Sequence, residues 1–378
     1  MKGIFVSALI ALLVFTVSCG SNNIIHGSPT GPFIFMVGQT SDNLLTFKGA
    51  NSGAITLSTT ASTGHAPSAV TLLSLSSFQM NLFVTNSASN TVSVLALDPT
   101  TGAASSTGIT ATVGSNPMDI ALRPPVGNGT DLGAIYILNR GSNSISGFRI
   151  TDTSGHLAEV PGSPFATQAN PQALLATSFG FSNTTITNFL YVANGTLGTI
   201  SGFKINADGS LTEVTGSPFA AGANISALAP RFGGGVLFAS DAGANKVLGF
   251  KFQDTGALTA FTGTGVAAGT QPGKLIVGFN DFVYVVNQGS NNVSAYKFDF
   301  AGSTLTAIAG SPFSAGSNPV ALGFTRANQL YVANQGSSDV SAFNMDGNSG
   351  ALTLISGSPF HVPTPPSAMQ TLFVMNVD

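Results

Sequence analysis

The chain reads as an all-β protein, and three observations carry that reading. After the N-terminus, helix formers at helical spacing are scarce, while β-branched and aromatic residues recur in runs of four to six. A unit of four such runs repeats along the chain, most legibly from Pro319 to Phe360. An aromatic marks the second run of each unit: Phe35, Phe83, Tyr136, Tyr191, Phe238, Tyr284 and Tyr331, with Phe373 as a further mark. The intervals are 48, 53, 55, 47, 46, 47 and 42 residues. A period near 47 with four strands fits one blade of a β-propeller rather than a helical solenoid repeat. We therefore expect residues 32–378 to form one seven-bladed β-propeller of four-stranded antiparallel blades.

The chain opens with Met1-Lys2, an apolar stretch from Ile4 to Val17, and then Ser18-Cys19-Gly20. One basic residue and an apolar core of about 14 residues describe a secretory signal, since a membrane span needs about 20. Thr16-Val17-Ser18-Cys19 resembles a bacterial lipobox, in which the thiol is lipidated and becomes the new N-terminus. The competing reading is a signal cut elsewhere beside an incidental cysteine. The expected division is a lipoprotein signal over 1–18, a lipidated tether over 19–31, and the propeller beyond. Gly20, in place of Asp, favours the outer membrane, so the chain is expected to be exported and lipid-anchored in the envelope, at the outer membrane or in the periplasm.

Within each unit the second strand ends in a repeated Asn: Asn86, Asn139, Asn194, Asn287 and Asn334. These read as turn residues whose side chains bond the local backbone. The third strands align as VSVLAL, ISGFRI, ISGFKI, VLGFKF, VSAYKF and VSAFNM. Lys48, Arg149, Lys204, Lys251 and Lys297 share one position there and read as outward edges of the disc with their charges in water. Asp98, Asp208, Asp254 and Asp346 belong to the next hairpin turn. Gly-Ser-Pro-Phe at 162, 216, 310 and 357 follows the fourth strand, and an Asn-Pro or its equivalent leads into the next inner strand. Insertions at Pro124–Asp131 and Gly180–Thr187 lengthen the third and fourth units between their first and second strands. The first unit lacks an inner strand before Pro32, and Ser367–Asn376 can supply it, so the two ends are expected to close the ring.

Composition narrows the function. Charged residues are only 7%, with 12 Lys+Arg against 15 Asp+Glu, so no basic stripe is available for nucleic acid and no polybasic patch for anionic lipid. The membrane is expected to be met through the N-terminal lipid alone, and the protein to be a monomer. No His-Glu-x-x-His, Cys pair or close His cluster points to a metal, and no nucleophile elbow or phosphate loop occurs. No cofactor is expected.

LFVTNSASNTVSVLALD (82–98) and LYVANQGSSDVSAF (330–343) resemble the YVTN-type repeat. The longer unit through LTLISGSPF and NPVAL is similar to the seven-bladed propellers of the lactonase family, which includes 6-phosphogluconolactonase-like proteins. The resemblance implies lactone hydrolysis for some members, and most of what matches is strand and turn.

Chemistry is expected where the repeat is broken. Two residues after the inner-strand proline stand Ala69, Ala173, Ala227, Ala321 and Ala368, but the third and sixth units carry Asp119 and Lys274. In a ring of seven these lie nearly opposite, as a charged pair at the channel mouth that either orients a ligand or satisfies itself. Loops on the same face add Arg140, His65, His361 and Asp241 as ligand-binding candidates. Two functions follow. The first is a non-catalytic binding or scaffold module for an envelope protein or glycan. The second is a lactone hydrolase acting on a neutral lactone, because cations able to converge on a phosphate are lacking.

Overall fold

A computed structural model describes residues 24–26, 32–38, 40–76, 79–126, 131–179, 187–231, 234–261, 265–278, 280–325 and 327–375. The expected signal segment and Cys19 lie outside them. The described residues form seven sheets and no helix, arranged as the blades of a propeller. The inner strands of blades 1 to 7 are Ala368–Met375, Pro67–Ser76, Pro117–Arg123, Ala173–Phe179, Ile225–Pro230, Pro272–Val277 and Pro319–Phe324. Each pairs antiparallel with the aromatic-bearing second strand, and the sheet continues outward through a third and a fourth.

Ring closure follows the expectation. Ala368–Met375 pairs antiparallel with Phe33–Val37, placing Val37 opposite Ala368 and Phe33 opposite Leu372. The C-terminal strand thus completes the blade that the N-terminus begins, leaving no open end to the disc. The tether needs correction: Ile24–His26 runs parallel to Phe373–Met375 and adds a strand to that blade. The overhang of the closing strand beyond Phe33 leaves backbone groups free to pair, and the short segment uses them.

Two further expectations change. Gly-Ser-Pro-Phe does not follow the outer strand but interrupts it. In blade 3 the outer strand is Leu157–Glu159, then the turn, then Phe165–Ala166 returning to pair with Ser144 and Ile145. Blades 4, 6 and 7 repeat the arrangement, whereas blades 1 and 2 keep continuous outer strands, Ile55–Ser62 and Ala104–Thr112. The five cations are exposed as expected, yet they stand on the third strand, covered on its far side by the fourth, and so are not the sheet edge.

The core consists of seven apolar clusters, each shared by two adjacent blades. Phe165, Phe219, Phe313 and Phe360 pack on four of them, which explains the Phe of the repeat. Every joint between blades is also fastened by a hydroxyl donating to a carbonyl of the next blade, in one of two ways, and the joint of blades 5 and 6 carries in addition the third-strand Tyr296 phenol on Ala267 O (2.5 Å). Where the second-strand aromatic is tyrosine, its phenol bonds a glycine in the neighbour's outer turn: Tyr136 to Gly209 O (2.7 Å), Tyr191 to Gly256 O (2.7 Å), Tyr284 to Gly350 O (2.8 Å) and Tyr331 to Gly53 O (3.0 Å). Where it is phenylalanine, in blades 1, 2 and 5, a serine beside the axis serves instead. Ser367 bonds Pro67 O (3.0 Å), Ser68 bonds Pro117 O (2.6 Å) and Ser226 bonds Pro272 O (2.6 Å). Among the described residues no joint carries both of these bonds.

Candidate functional site

The inner strands converge on an axial cavity of about 400 Å³, open on the face that carries the loops leading into them. Its walls come from the first turns of all seven inner strands. The residue after each inner-strand proline, or its equivalent, forms the outermost ring: Ser68, Met118, Gln172, Ser226, Gly273, Val320 and Ser367. The next ring is alanine in five blades and is broken by Asp119 and Lys274.

The structure brings those two together. Lys274 Nζ lies 2.9 Å from Asp119 Oδ2, so the pair spans the cavity from blade 6 to blade 3. Asp119 is buried, and its carboxylate is further fixed by two backbone donors, Ile120 N–H at Oδ1 (3.1 Å) and Leu174 N–H at Oδ2 (3.0 Å). These inner-strand amides face the axis because the neighbouring second strand uses the alternate ones. The aspartate therefore has a rigid seat, while the lysine, with 38% of its side chain exposed, approaches from across the opening.

Arg140 lies at the rim. Its guanidinium donates to Asn170 Oδ1 (3.2 Å) and lies 3.6 Å from the sulfur of Met118, a cavity residue. The other three candidates stand elsewhere. Asp241 occupies in blade 5 the place that asparagine holds in five other blades. It is buried and accepts the backbone N–H groups of Ala223, Asn224, Gly243 and Ala244 at 2.9 to 3.1 Å, so its role is to hold two loops. His65 is exposed, with Nδ1 2.7 Å from Asp42 Oδ2. Asp42 is itself a repeat residue. Its other oxygen accepts Ala66 N–H as Asn90, Asn143, Asn245 and Asn291 accept the corresponding amides in their blades. That amide, and then the imidazole, hold the Asp42 carboxyl below its ordinary range. His361 sits exposed on the outer strand of blade 7, its backbone opposite Asp339.

The repeated asparagines also differ from expectation. Their amides donate mainly to side chains across the hairpin, as Asn139 does to Ser144 and Ser146 and Asn334 to Asp339 and Ser341. Local backbone bonds of the kind expected are formed by Asn86, to Val84 O and Thr91 O at 3.4 Å, and the side-chain oxygens of Asn86 and Asn287 accept the N–H of Gly64 and Gly269 from the preceding loop.

Three glutamines escaped the reading of the sequence. Gln172 belongs to the outermost ring, and Gln288 and Gln335 follow the repeated asparagine in blades 6 and 7; all three line the cavity. For Gln172 the available signal was departure from serine at the position after the proline, and for Gln288 and Gln335 a shared glutamine after the repeated asparagine. Among the described residues no group of three or more His, Cys, Asp or Glu side chains could hold a metal.

Similarity to known proteins agrees with this architecture. A family described as "Lactonase, 7-bladed beta-propeller" matches residues 20–121 and 262–369. No curated protein sequence matches the chain. Among solved structures, a candidate 6-phosphogluconolactonase from Bacteroides fragilis superposes with a TM-score of 0.72 at 20% identity, covering 93% of this chain and 99% of that one. The periplasmic gluconolactonase of Pseudomonas aeruginosa gives 0.71 at 17% identity, covering 90% and 98%. At such identity these two establish the fold alone. The family match overturns the expectation of a non-catalytic binding or scaffold module and favours the alternative, a lactone hydrolase. With seven blades closed by its two ends and more than half its length matched, the chain belongs to the seven-bladed β-propeller lactonase family.

Proposed function

We propose that the protein hydrolyses a neutral lactone in the axial cavity, with Asp119 and Lys274 as the reacting pair. The observation that carries this reading is the one carboxylate and one ammonium facing each other across a ring otherwise built of alanine, in a chain of the lactonase family. A lactone carbonyl entering between them separates the pair. Water attacks the carbonyl carbon and gives its proton to the Asp119 carboxylate, while the Lys274 ammonium stabilises the oxyanion that forms. On collapse the acyl–oxygen bond breaks, the ring oxygen takes the proton back from Asp119, and an open hydroxy acid leaves. The backbone donors from Ile120 and Leu174 keep the carboxylate aimed while Lys274 moves.

Charge supports a neutral substrate. The pair has no net charge, and Arg140 stands at the rim already engaged with Asn170. A phosphorylated lactone would need several cations converging on one group. The test is hydrolysis of a lactone panel with and without phosphate by wild type, Asp119→Asn and Lys274→Met. We expect turnover of the neutral members and a loss of about 10²- to 10⁴-fold in kcat with Asp119→Asn. Turnover unchanged in both variants would remove the pair from the mechanism.

We also propose that the chain is exported and lipidated at Cys19, which the charge and apolar pattern of residues 1–20 supports. Labelling with a radioactive fatty acid should mark wild type and leave Cys19→Ser unlabelled.

A further inference from the structure

The two kinds of joint divide the mouth of the cavity. In blades 1, 2 and 5 the residue after the proline is a serine spent on fastening the next blade. In blades 3, 4, 6 and 7 the tyrosine does that work farther from the axis, and the same position is released to Met118, Gln172, Gly273 and Val320. Asp119 and Lys274 both fall in these blades, and so do the three glutamines. The released positions form two arcs, blades 3–4 and blades 6–7, facing each other across the ion pair.

The glutamines are presented in defined ways. Gln172 Nε2 donates to Asn170 Oδ1 (2.7 Å), which turns its carbonyl oxygen free as an acceptor. Asn170 Oδ1 also accepts Arg140, so its own orientation is fixed by two donors. Gln335 Oε1 accepts Asn318 Nδ2 (3.1 Å), leaving its NH₂ as a donor. The Gln288 amide has no side-chain partner among the described residues. It lies over Gly273, where a Cβ would stand only 3.2 Å from Nε2. The glycine, whose φ is ordinary, is there to admit the amide.

We propose that Gln172, Gln288 and Gln335 are specificity-determining contacts, reading ring hydroxyls of a polyhydroxylated lactone with an acceptor on one arc and donors on the other. This rests on the lactone hydrolase reading and adds to it the groups that select the substrate. A site built to bond hydroxyls discriminates against an analogue lacking them, because its polar groups are then left unpaired.

Two measurements test this and separate it from the parent reading. The first is calorimetric binding of 1,5-anhydroglucitol, a cyclic polyol with no carbonyl to hydrolyse. Gln172→Ala, Gln288→Ala and Gln335→Ala should each weaken binding by about three- to tenfold, as the loss of one neutral hydrogen bond implies. Gly273→Ala should weaken binding less than Gln288→Ala, since it shifts that amide by only a few tenths of an ångström. The second is kcat/KM for a hydroxylated hexono-δ-lactone against δ-valerolactone. The variants should lose about three- to tenfold on the first and stay within about twofold on the second. Polyol binding that is absent, or indifferent to all four substitutions, overturns the proposal, as does an equal loss on both lactones. Glutamine-dependent polyol binding with no lactone hydrolysis would overturn the hydrolase reading alone.

Discussion

Joints fastened beside the axis and joints fastened in the outer turns do the same mechanical task at different radii, and the difference decides which blades can hold chemistry. A serine at the rim uses both its position and its hydroxyl for the neighbouring proline carbonyl, as Ser226 does for Pro272. A tyrosine one strand farther out reaches a glycine carbonyl through the packed interior, and the rim residue of its blade is then unconstrained. Every residue placed in or beside the axial cavity as a candidate for chemistry or recognition lies in a tyrosine blade. On the proposed reading, structural duty and ligand duty are separated by moving one hydroxyl outward.

The comparison can be broken most forcefully at the closing blade. Removing residues 367–378 takes away an entire inner strand together with the Ser367 fastening, while the Tyr331 bond to Gly53 remains. Loss of more than about 4 kcal/mol and of a single cooperative melt is expected. A truncated chain that melts as sharply and as hot as the full one would show that the outer fastening alone closes the ring.

Alkali distinguishes the two kinds next. Burial pushes the phenols of Tyr136, Tyr191, Tyr284 and Tyr331 above their ordinary value near 10. The unfolded chain therefore ionises first: stability is intact below pH 10 and falls above it, by up to about 1.4 kcal/mol per pH unit for each tyrosine. Hydrogen exchange followed through that range should loosen joints 3–4, 4–5, 6–7 and 7–1, and joint 5–6 through the likewise raised Tyr296 phenol, before joints 1–2 and 2–3. Simultaneous loosening of all seven would refute the distinction.

Single deletions come after that. Tyr191→Phe and Ser226→Ala should each cost about 1 kcal/mol in chemical denaturation, the net value of one buried hydrogen bond. Neither should alter lactone turnover. The smallest effect on activity belongs to Asp241→Asn. The amide would set an NH₂ against the N–H of Ala223, so we expect a loss of about 1–3 kcal/mol in stability with unchanged kcat/KM; a large kinetic loss would return Asp241 to the list of binding residues.

Much of the architecture was legible because repetition within one chain does the work of an alignment. The aromatic interval gave the number of blades, the missing first inner strand gave the closure, and the alanine ring broken by Asp119 and Lys274 located opposed charges. What stayed hidden depends on contacts between units, which no single unit displays. Tyr136 and Ser68 look unrelated until the neighbour's Gly209 and Pro117 carbonyls are seen beside them. His65 reads as a ligand candidate because its partner, Asp42, is 23 residues away in another loop. Asp241 reads as one too, although it stands where other blades carry the repeated asparagine. The interruption of the outer strand at Gly-Ser-Pro was missed because the returning Phe-Ala pair is only two residues long.

Because Phe33–Val37 finds its inner partner in Ala368–Met375, the blade that is made first is finished last. Until that last strand is in place, the folding polypeptide is an arc with one naked flank, held together by neighbour contacts alone. Completion of the wheel therefore depends on the last strand: a product lacking it keeps an exposed flank.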